Sequence, residues 1–359
     1  MKYEVRIFVV DCILYIISHI IHHTLLNSLP KRLAPNAYIE GILAHDRVVL
    51  SKAITLIEST LQSDFVLARE VLQGILPHTK TATSIRIGIT GVPGVGKSTF
   101  IDVFGTFIMD KCNKKLAVLA IDPTSQRTKG SIMGDKTRME SLSMNKNAYI
   151  RPSATGNALG GVARRTRETI LLCEAAGFEV IIVETVGVGQ SETLVKDMVD
   201  FFLLLMLAGA GDELQGIKKG IMEMADAVTI TKADGDNLLA ADLAKVEYQN
   251  ALHWLRADDS GWFPQVSLCS ALKNEGIKDV WKMIEKYQKI TQKNGFFDKN
   301  RQLQQISWMH QTIKQILEEQ FYQNEIIKKL LPNIEKDILD NKIAPTSAAI
   351  QLIDFYKHK

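Results

Sequence analysis

The nonapeptide GVPGVGKST at 91–99 constrains this chain more than any other feature. It fits G-x-x-x-x-G-K-[ST] at Gly91, Gly96, Lys97 and Ser98, with Val92, Pro93, Gly94 and Val95 inside the loop and Thr99 closing it. The apolar run IRIGIT precedes it, and the helical pattern STFIDVFGTFIM overlaps its end. A loop in that setting is built to hold phosphate. Gly91, Gly94 and Gly96 let the backbone turn its N–H groups inward around oxyanions. The helix opening near Lys97 aims its positive dipole end at the same anion. Lys97 is then expected on the β- and γ-phosphates, and the Ser98 hydroxyl on Mg2+.

Strand candidates punctuate the chain at Ile85–Thr90, Leu116–Ile121, Glu179–Glu184, Phe201–Leu207, Ala227–Thr231 and Gln265–Cys269, with helical patterns between most of them. This alternation predicts an α/β fold, a mostly parallel sheet covered by helices on both faces. Ahead of it, Tyr38 to Lys80 carries apolar residues at three- and four-residue steps. Ser63 with Asp64 is the expected cap of a second helix there, and Pro77 its stop. From Lys278 onward the chain reads as polar helix, amphipathic around 300–330 through Ile306, Met309, Ile313, Ile316, Leu317 and Phe321. The expected organisation is a poorly conforming extension over 1–37, a helical segment over 38–80, the phosphate-loop domain over 81–293 and a helical arm over 294–359.

Two acids end strand candidates. Asp122 follows LAVLAI and Glu184 closes FEVIIVE, so both reach the carboxyl edge of the sheet, where open α/β sheets bind ligands. Glu184-Thr-Val-Gly187 has the acid-x-x-Gly form that senses a γ-phosphate through the Gly187 amide and holds Mg2+ through water. Lys97 and Glu184 are the expected catalytic residues.

The base pocket comes from TKADGDN at 231–237. Asp234 would accept hydrogen bonds from guanine N1–H and the exocyclic amine, which adenine cannot offer in that arrangement. Thr231 opens the motif, and Lys232 would lay its aliphatic stem along the base. Downstream, CSALKNEG at 269–276 supplies Ser270, Ala271 and Leu272, with the Ala271 amide aimed at the guanine carbonyl. Coming after a phosphate loop, the two motifs together read as a P-loop GTPase that binds GTP and GDP.

Forty-three Lys and Arg against 40 Asp and Glu leave +3, which gives no polyanion footprint and no expected nucleic-acid partner. Cys12, Cys112, Cys173 and Cys269 form no C-x-x-C pair and read as reduced thiols of a cytoplasmic protein. VRIFVVDCILYIISHIIHHTLL at 5–26 is apolar, but Asp11 and three histidines interrupt it. The stretch reads as an extension or the product of an upstream start codon; membrane insertion is not expected.

The chain resembles one family: the methylmalonyl-CoA mutase-associated GTPases, comprising bacterial MeaB and ArgK proteins and the mitochondrial cobalamin A protein. Beyond the nucleotide motifs, the likeness lies in AIDPTSQRTKGSIMGDKTRM (120–139), RPSATGNALGGVARRTRE (151–168), ETVGVGQSE (184–192) and LAGAGDELQGIKKGIMEMAD (207–226). It covers roughly residues 38–330. The resemblance implies a fold of the signal-recognition and metal-insertion GTPase class, with a C-terminal dimerisation arm. It implies a homodimer that hydrolyses GTP slowly alone and gates adenosylcobalamin loading onto methylmalonyl-CoA mutase as a chaperone. By residue, it implies Mg2+ held among Ser98, Asp122, Asp135 and Glu184, and guanine held by Asp234 with Ser270, Ala271 and Leu272. Segments 122–139 and 184–192 would be the first and second switches. Segment 209–219, with Asp212, Glu213, Gln215, Lys218 and Lys219, would be a third switch signalling to the mutase.

Some positions depart from the pattern. Thr231 stands where the family more usually has Asn, keeping a hydroxyl but losing the amide. Ala208 replaces a commoner proline, and Val188 stands where small GTPases place a catalytic Gln. The alternatives are a nickel-inserting GTPase, an amino-acid-transport kinase and a non-hydrolysing GTP switch. The first needs metal-collecting His or Cys clusters, and only His22-His23 is offered. The second needs a phosphoacceptor site that the sequence does not supply.

Overall fold

The apolar runs of the sequence lie side by side in one sheet. The computed structural model describes residues 32–79, 84–121, 139–152, 159–185, 191–209, 219–253 and 259–357. Its strands are β1 (Ile85–Gly91), β2 (Leu116–Ile121), β3 (Ala148–Pro152), β4 (Val180–Thr185), β5 (Phe201–Leu207), β6 (Ala227–Thr231) and β7 (Gln265–Leu268). They pair in the order β3-β2-β4-β1-β5-β6-β7, and every pairing is parallel. The α/β expectation holds, with a wholly parallel sheet among the described residues where the sequence predicts a mostly parallel one. β1 and β4 are buried along their whole lengths; β4 accordingly carries the unbroken run VIIV, whereas β1 alternates Ile with Arg86, Gly88 and Thr90. β3 is the strand that the sequence did not announce. It is short, sits at the sheet edge and ends on Pro152, which an edge strand tolerates because no ladder N–H is needed there.

The lead-in folds as α1 (Pro35–Leu43), α2 (Arg47–Glu58) and α3 (Gln62–Ile75). Asp46 caps α2 by accepting from the Val48 and Val49 amides at 2.7 and 3.1 Å. The expected cap at Ser63 and Asp64 is wrong. Leu61 precedes the first turn of α3, and Asp64 lies buried inside it, holding the Arg32 guanidinium at 2.6 and 3.1 Å. These helices close over the β3 edge. Arg47 donates to the Lys146 and Ala148 carbonyls at 3.0 and 2.6 Å, and Arg151 of β3 pairs with Glu58.

The sheet is covered by α4 (Lys97–Cys112), α5 (Glu140–Met144), α6 (Leu159–Ala175), α7 (Ser191–Lys196), α8 (Lys219–Met224), α9 (Leu238–His253) and α10 (Ile277–Lys293). α11 (Phe296–Gln323) then leads into α12 (Glu325–Leu339) and α13 (Pro345–Lys357), which form a second small core around Ile327, Ile334, Ala348 and Leu352. One buried arginine fastens the start of α11 beneath the sheet. Arg301, 1% exposed, donates to Asp200 at 2.7 and 2.5 Å and to Glu174 at 3.3 Å. Glu174 also holds Arg86 of β1 at 2.9 and 2.7 Å, and accepts from Ser84. Burial alone would raise the Glu174 pKa, but the Arg86 and Arg301 guanidiniums outweigh it and hold the carboxyl below its ordinary value.

Candidate functional site

Parallel strands deliver their carboxyl ends to one edge, and the site is built there. β1 runs into the phosphate loop. Gly91 closes the strand beside Leu205 of β5, where an added Cβ would stand 2.4 Å from the Leu205 carbonyl oxygen. Gly94 and Gly96 follow with φ of 76° and 86°, the left-handed region that side-chain-bearing residues resist. Val92 and Val95 are buried and anchor the loop, while Pro93, Gly94 and Thr99 are exposed. α4 opens at Lys97 directly behind Gly96, so its first N–H groups and dipole face the loop.

Lys97 Nζ donates to the Gly91 carbonyl at 2.8 Å, folded back across the loop that it closes. Burial draws its ammonium below the ordinary lysine pKa, while the carboxylates of Glu184 and Glu192 pull the other way. Ser98 Oγ donates to Glu184 Oε1 at 3.3 Å, so the last β4 carboxylate and the first-turn hydroxyl of α4 meet. Glu184 is 4% exposed. A serine hydroxyl beside a carboxylate is a hard-oxygen set that suits Mg2+.

The segment expected to read the base leaves β6 and is strapped to the phosphate loop by side chains. Thr231 Oγ1 donates to the Val95 carbonyl at 2.8 Å, and Lys232 Nζ donates to the Gly94 carbonyl at 2.9 Å. Lys232 takes a φ of 54°, and Asn237 secures its carbonyl at 2.7 Å. Ser270 Oγ donates to Asp234 Oδ2, and the Lys273 amide donates to Ser270 Oγ at 3.0 Å. The Ala233 amide donates to the Cys269 carbonyl at 3.0 Å, which ties the two base segments together. Ala271 is half-buried beside them. Leu272 is 84% exposed.

The structure thus brings Gly91–Thr99, Glu184, Thr231, Lys232, Asp234 and Ser270 to one edge. Asp122, Asp135, Gly187, Asp212, Glu213, Gln215 and Lys218 lie outside the described residues, and Lys219 opens α8. The strap from Thr231 and Lys232 to loop carbonyls was not foreseen. Its only sequence signal was a hydroxyl where the resemblance expects an amide.

A family model described as methylmalonyl Co-A mutase-associated GTPase MeaB matches residues 50–326. The chain belongs to the MeaB family. GTPase ArgK of Escherichia coli is 42% identical over 310 residues, covering 86% of this chain and 93% of that protein. The methylmalonic aciduria type A homolog of Mus musculus, a mitochondrial protein, is 42% identical over 327 residues, covering 89% of this chain and 79% of that one. A crystal structure described as LAO/AO transport system kinase is 35% identical, with a TM-score of 0.72, covering 92% of this chain and 100% of that one. Family and fold make this MeaB relative a P-loop GTP hydrolase.

Proposed function

We propose that this MeaB-family GTPase is a chaperone of methylmalonyl-CoA mutase, using GTP binding and hydrolysis to gate adenosylcobalamin loading and to protect the mutase. The observation that carries the nucleotide half is the strap of Thr231 and Lys232 onto the phosphate loop. It supports a reading in which Asp234 and Ser270 read guanine beside Lys97 on the phosphates. The description of the matching family and the name of the mouse relative support the mutase half.

In this reading Lys97 leaves the Gly91 carbonyl for the β- and γ-phosphates, a partner that restores the charge that burial disfavours. Ser98 and Glu184, joined by Asp122 and Asp135, would hold Mg2+, which neutralises phosphate charge when bound. Asp234 accepts from guanine, with Ser270 fixing its carboxylate, Ala271 reading the carbonyl and Leu272 closing the turn. The Gly187 amide senses the γ-phosphate. Asp212, Glu213, Gln215, Lys218 and Lys219 signal the nucleotide state to the mutase. With Val188 in place of a water-positioning Gln, basal turnover is slow and the mutase stimulates it.

Homodimerisation is part of the proposal. Leu303, Ile306, Met309, Ile313 and Leu317 all remain 46–56% exposed along α11, an apolar stripe at helical spacing. Phe321 instead packs against the second core. A cytoplasmic setting accords with the absence, among the described residues, of any helix long and apolar enough to cross a membrane.

GTP hydrolysis measured with and without methylmalonyl-CoA mutase tests the reading. Stimulation by the mutase is expected, and its reduction in Lys218→Ala and Asp212→Ala with basal hydrolysis retained. Identical rates with and without mutase would refute the chaperone assignment.

A further inference from the structure

The ladder between β1 and β4 ends at Ile89↔Glu184. At the next position the two strands are joined by side chains instead: Thr185 Oγ1 donates to Thr90 Oγ1 at 2.8 Å. Both residues are enclosed, Thr185 at 0% and Thr90 at 1% exposure, at the ends of the strands IRIGITG and VIIVET. Burying a hydroxyl away from water is costly, and valine fills the same volume without that cost. Two threonines meeting in the sheet interior therefore need a reason beyond packing.

Their neighbours supply one. Thr90 immediately precedes Gly91, whose carbonyl receives Lys97 Nζ. Thr185 immediately follows Glu184, whose carboxylate receives Ser98 Oγ. The hydroxyl bond thus lies one residue from the phosphate loop on one strand and one residue from the acidic strand end on the other. It continues the link between β1 and β4 beyond their last ladder pair: there Thr90 pairs with Leu204 of β5 and Thr185 with Ile121 of β2, and the hydroxyl bond joins the two strands to each other directly.

We propose that Thr90 and Thr185 are positioning residues, whose mutual hydrogen bond holds the Glu184 carboxylate in register with the phosphate loop so that Glu184 and Ser98 serve one cation. The inference rests on the Mg2+ reading above. Groups that orient metal ligands from behind carry a large share of metal affinity: losing one typically costs about 10- to 100-fold.

The test is the double variant Thr90→Val/Thr185→Val. It removes both hydroxyls at constant shape and strands neither, so urea unfolding should remain near native. The readout is the GDP dissociation rate as a function of Mg2+ concentration. The Mg2+ needed for half-maximal slowing of GDP release should rise about 10-fold, and kcat should fall while KM for GTP at saturating Mg2+ holds. Thr90→Ser/Thr185→Ser, which restores the hydroxyls, should recover the native Mg2+ dependence. A native Mg2+ dependence in the valine pair overturns the inference. Should the valine pair fold poorly, Thr185→Val alone decides by the same curve. Glu184→Gln is measured alongside. If it leaves the Mg2+ dependence unchanged, the metal reading itself has failed and the positioning role falls with it.

Discussion

Thr231→Val is the sharpest probe of how the proposed guanine motif and the phosphate loop act as one unit. The substitution keeps the β-branched shape in β6 and removes only the hydroxyl. In the native chain that hydroxyl donates to the Val95 carbonyl at 2.8 Å, with the Met206 carbonyl farther off at 3.3 Å. Thr231 is 4% and Val95 1% exposed, so the abandoned carbonyl has poor access to water. Leaving a buried acceptor unpaired costs about 1–3 kcal/mol. If the loop stays in place, the loss appears as lower folding stability. If it peels toward solvent, the loss appears as weaker GDP binding, about 5- to 150-fold for the same energy. Urea unfolding without nucleotide and titration with a fluorescent GDP analogue measure the two parts, and their sum should fall in that range. Thr231→Asn supplies an amide donor to the same carbonyl and should bind GDP within about 3-fold of native, a difference of roughly 0.6 kcal/mol. A valine variant within about 0.5 kcal/mol of native in both measurements would show that the hydroxyl strap contributes nothing.

Four further outcomes are expected. Arg301→Met leaves Asp200 and Glu174 buried with reduced compensation and should lower stability by about 3–5 kcal/mol in urea unfolding; a loss under about 1 kcal/mol would contradict the clamp. Because the Glu174 pKa is lowered in the folded state, its contribution is present above the ordinary carboxylate pKa and is lost as pH falls through the folded value; the pH-stability profile of Glu174→Gln should therefore lack part of the native acid-side loss. Gly91→Ala places a Cβ 2.4 Å from the Leu205 carbonyl oxygen, backbone that cannot swing aside, so GTP binding should be lost, and native affinity would mean that the loop has slack. A chain beginning at Tyr38 loses both the Arg32–Asp64 pair and the first turn of α1 and should melt lower than one beginning at Arg32; equal melting of the two would show that the pair is dispensable.

What could be read from the sequence was local. Gly91, Gly94, Gly96, Lys97 and Ser98 announce a phosphate loop because a tight turn needs glycines at fixed offsets, whatever surrounds it. β2, β4 and β5 were legible because both faces are covered and they carry apolar runs, and β1 because Ile recurs at every second position. β3 was not, since an edge strand of five residues ending in proline carries no such signal. The cap at Ser63 and Asp64 failed for a related reason: capping chemistry and ion pairing use the same side chains, and only the position of Arg32 decides between them. The Arg301 clamp joins residues 101 and 127 positions apart, and the Thr90–Thr185 bond spans 95. Such pairs depend on strand order and register, which no local pattern encodes.

The central claim is that GTP turnover gates cobalamin delivery to the mutase. The direct measurement is the transfer of adenosylcobalamin to methylmalonyl-CoA mutase, followed by the cofactor's absorbance, in the presence of this protein with GTP, with a non-hydrolysable GTP analogue, or with GTP and the Lys97→Ala variant. The account predicts productive loading with GTP and native protein, and arrested loading with the analogue or with Lys97→Ala. Loading that proceeds equally under all three conditions would contradict it.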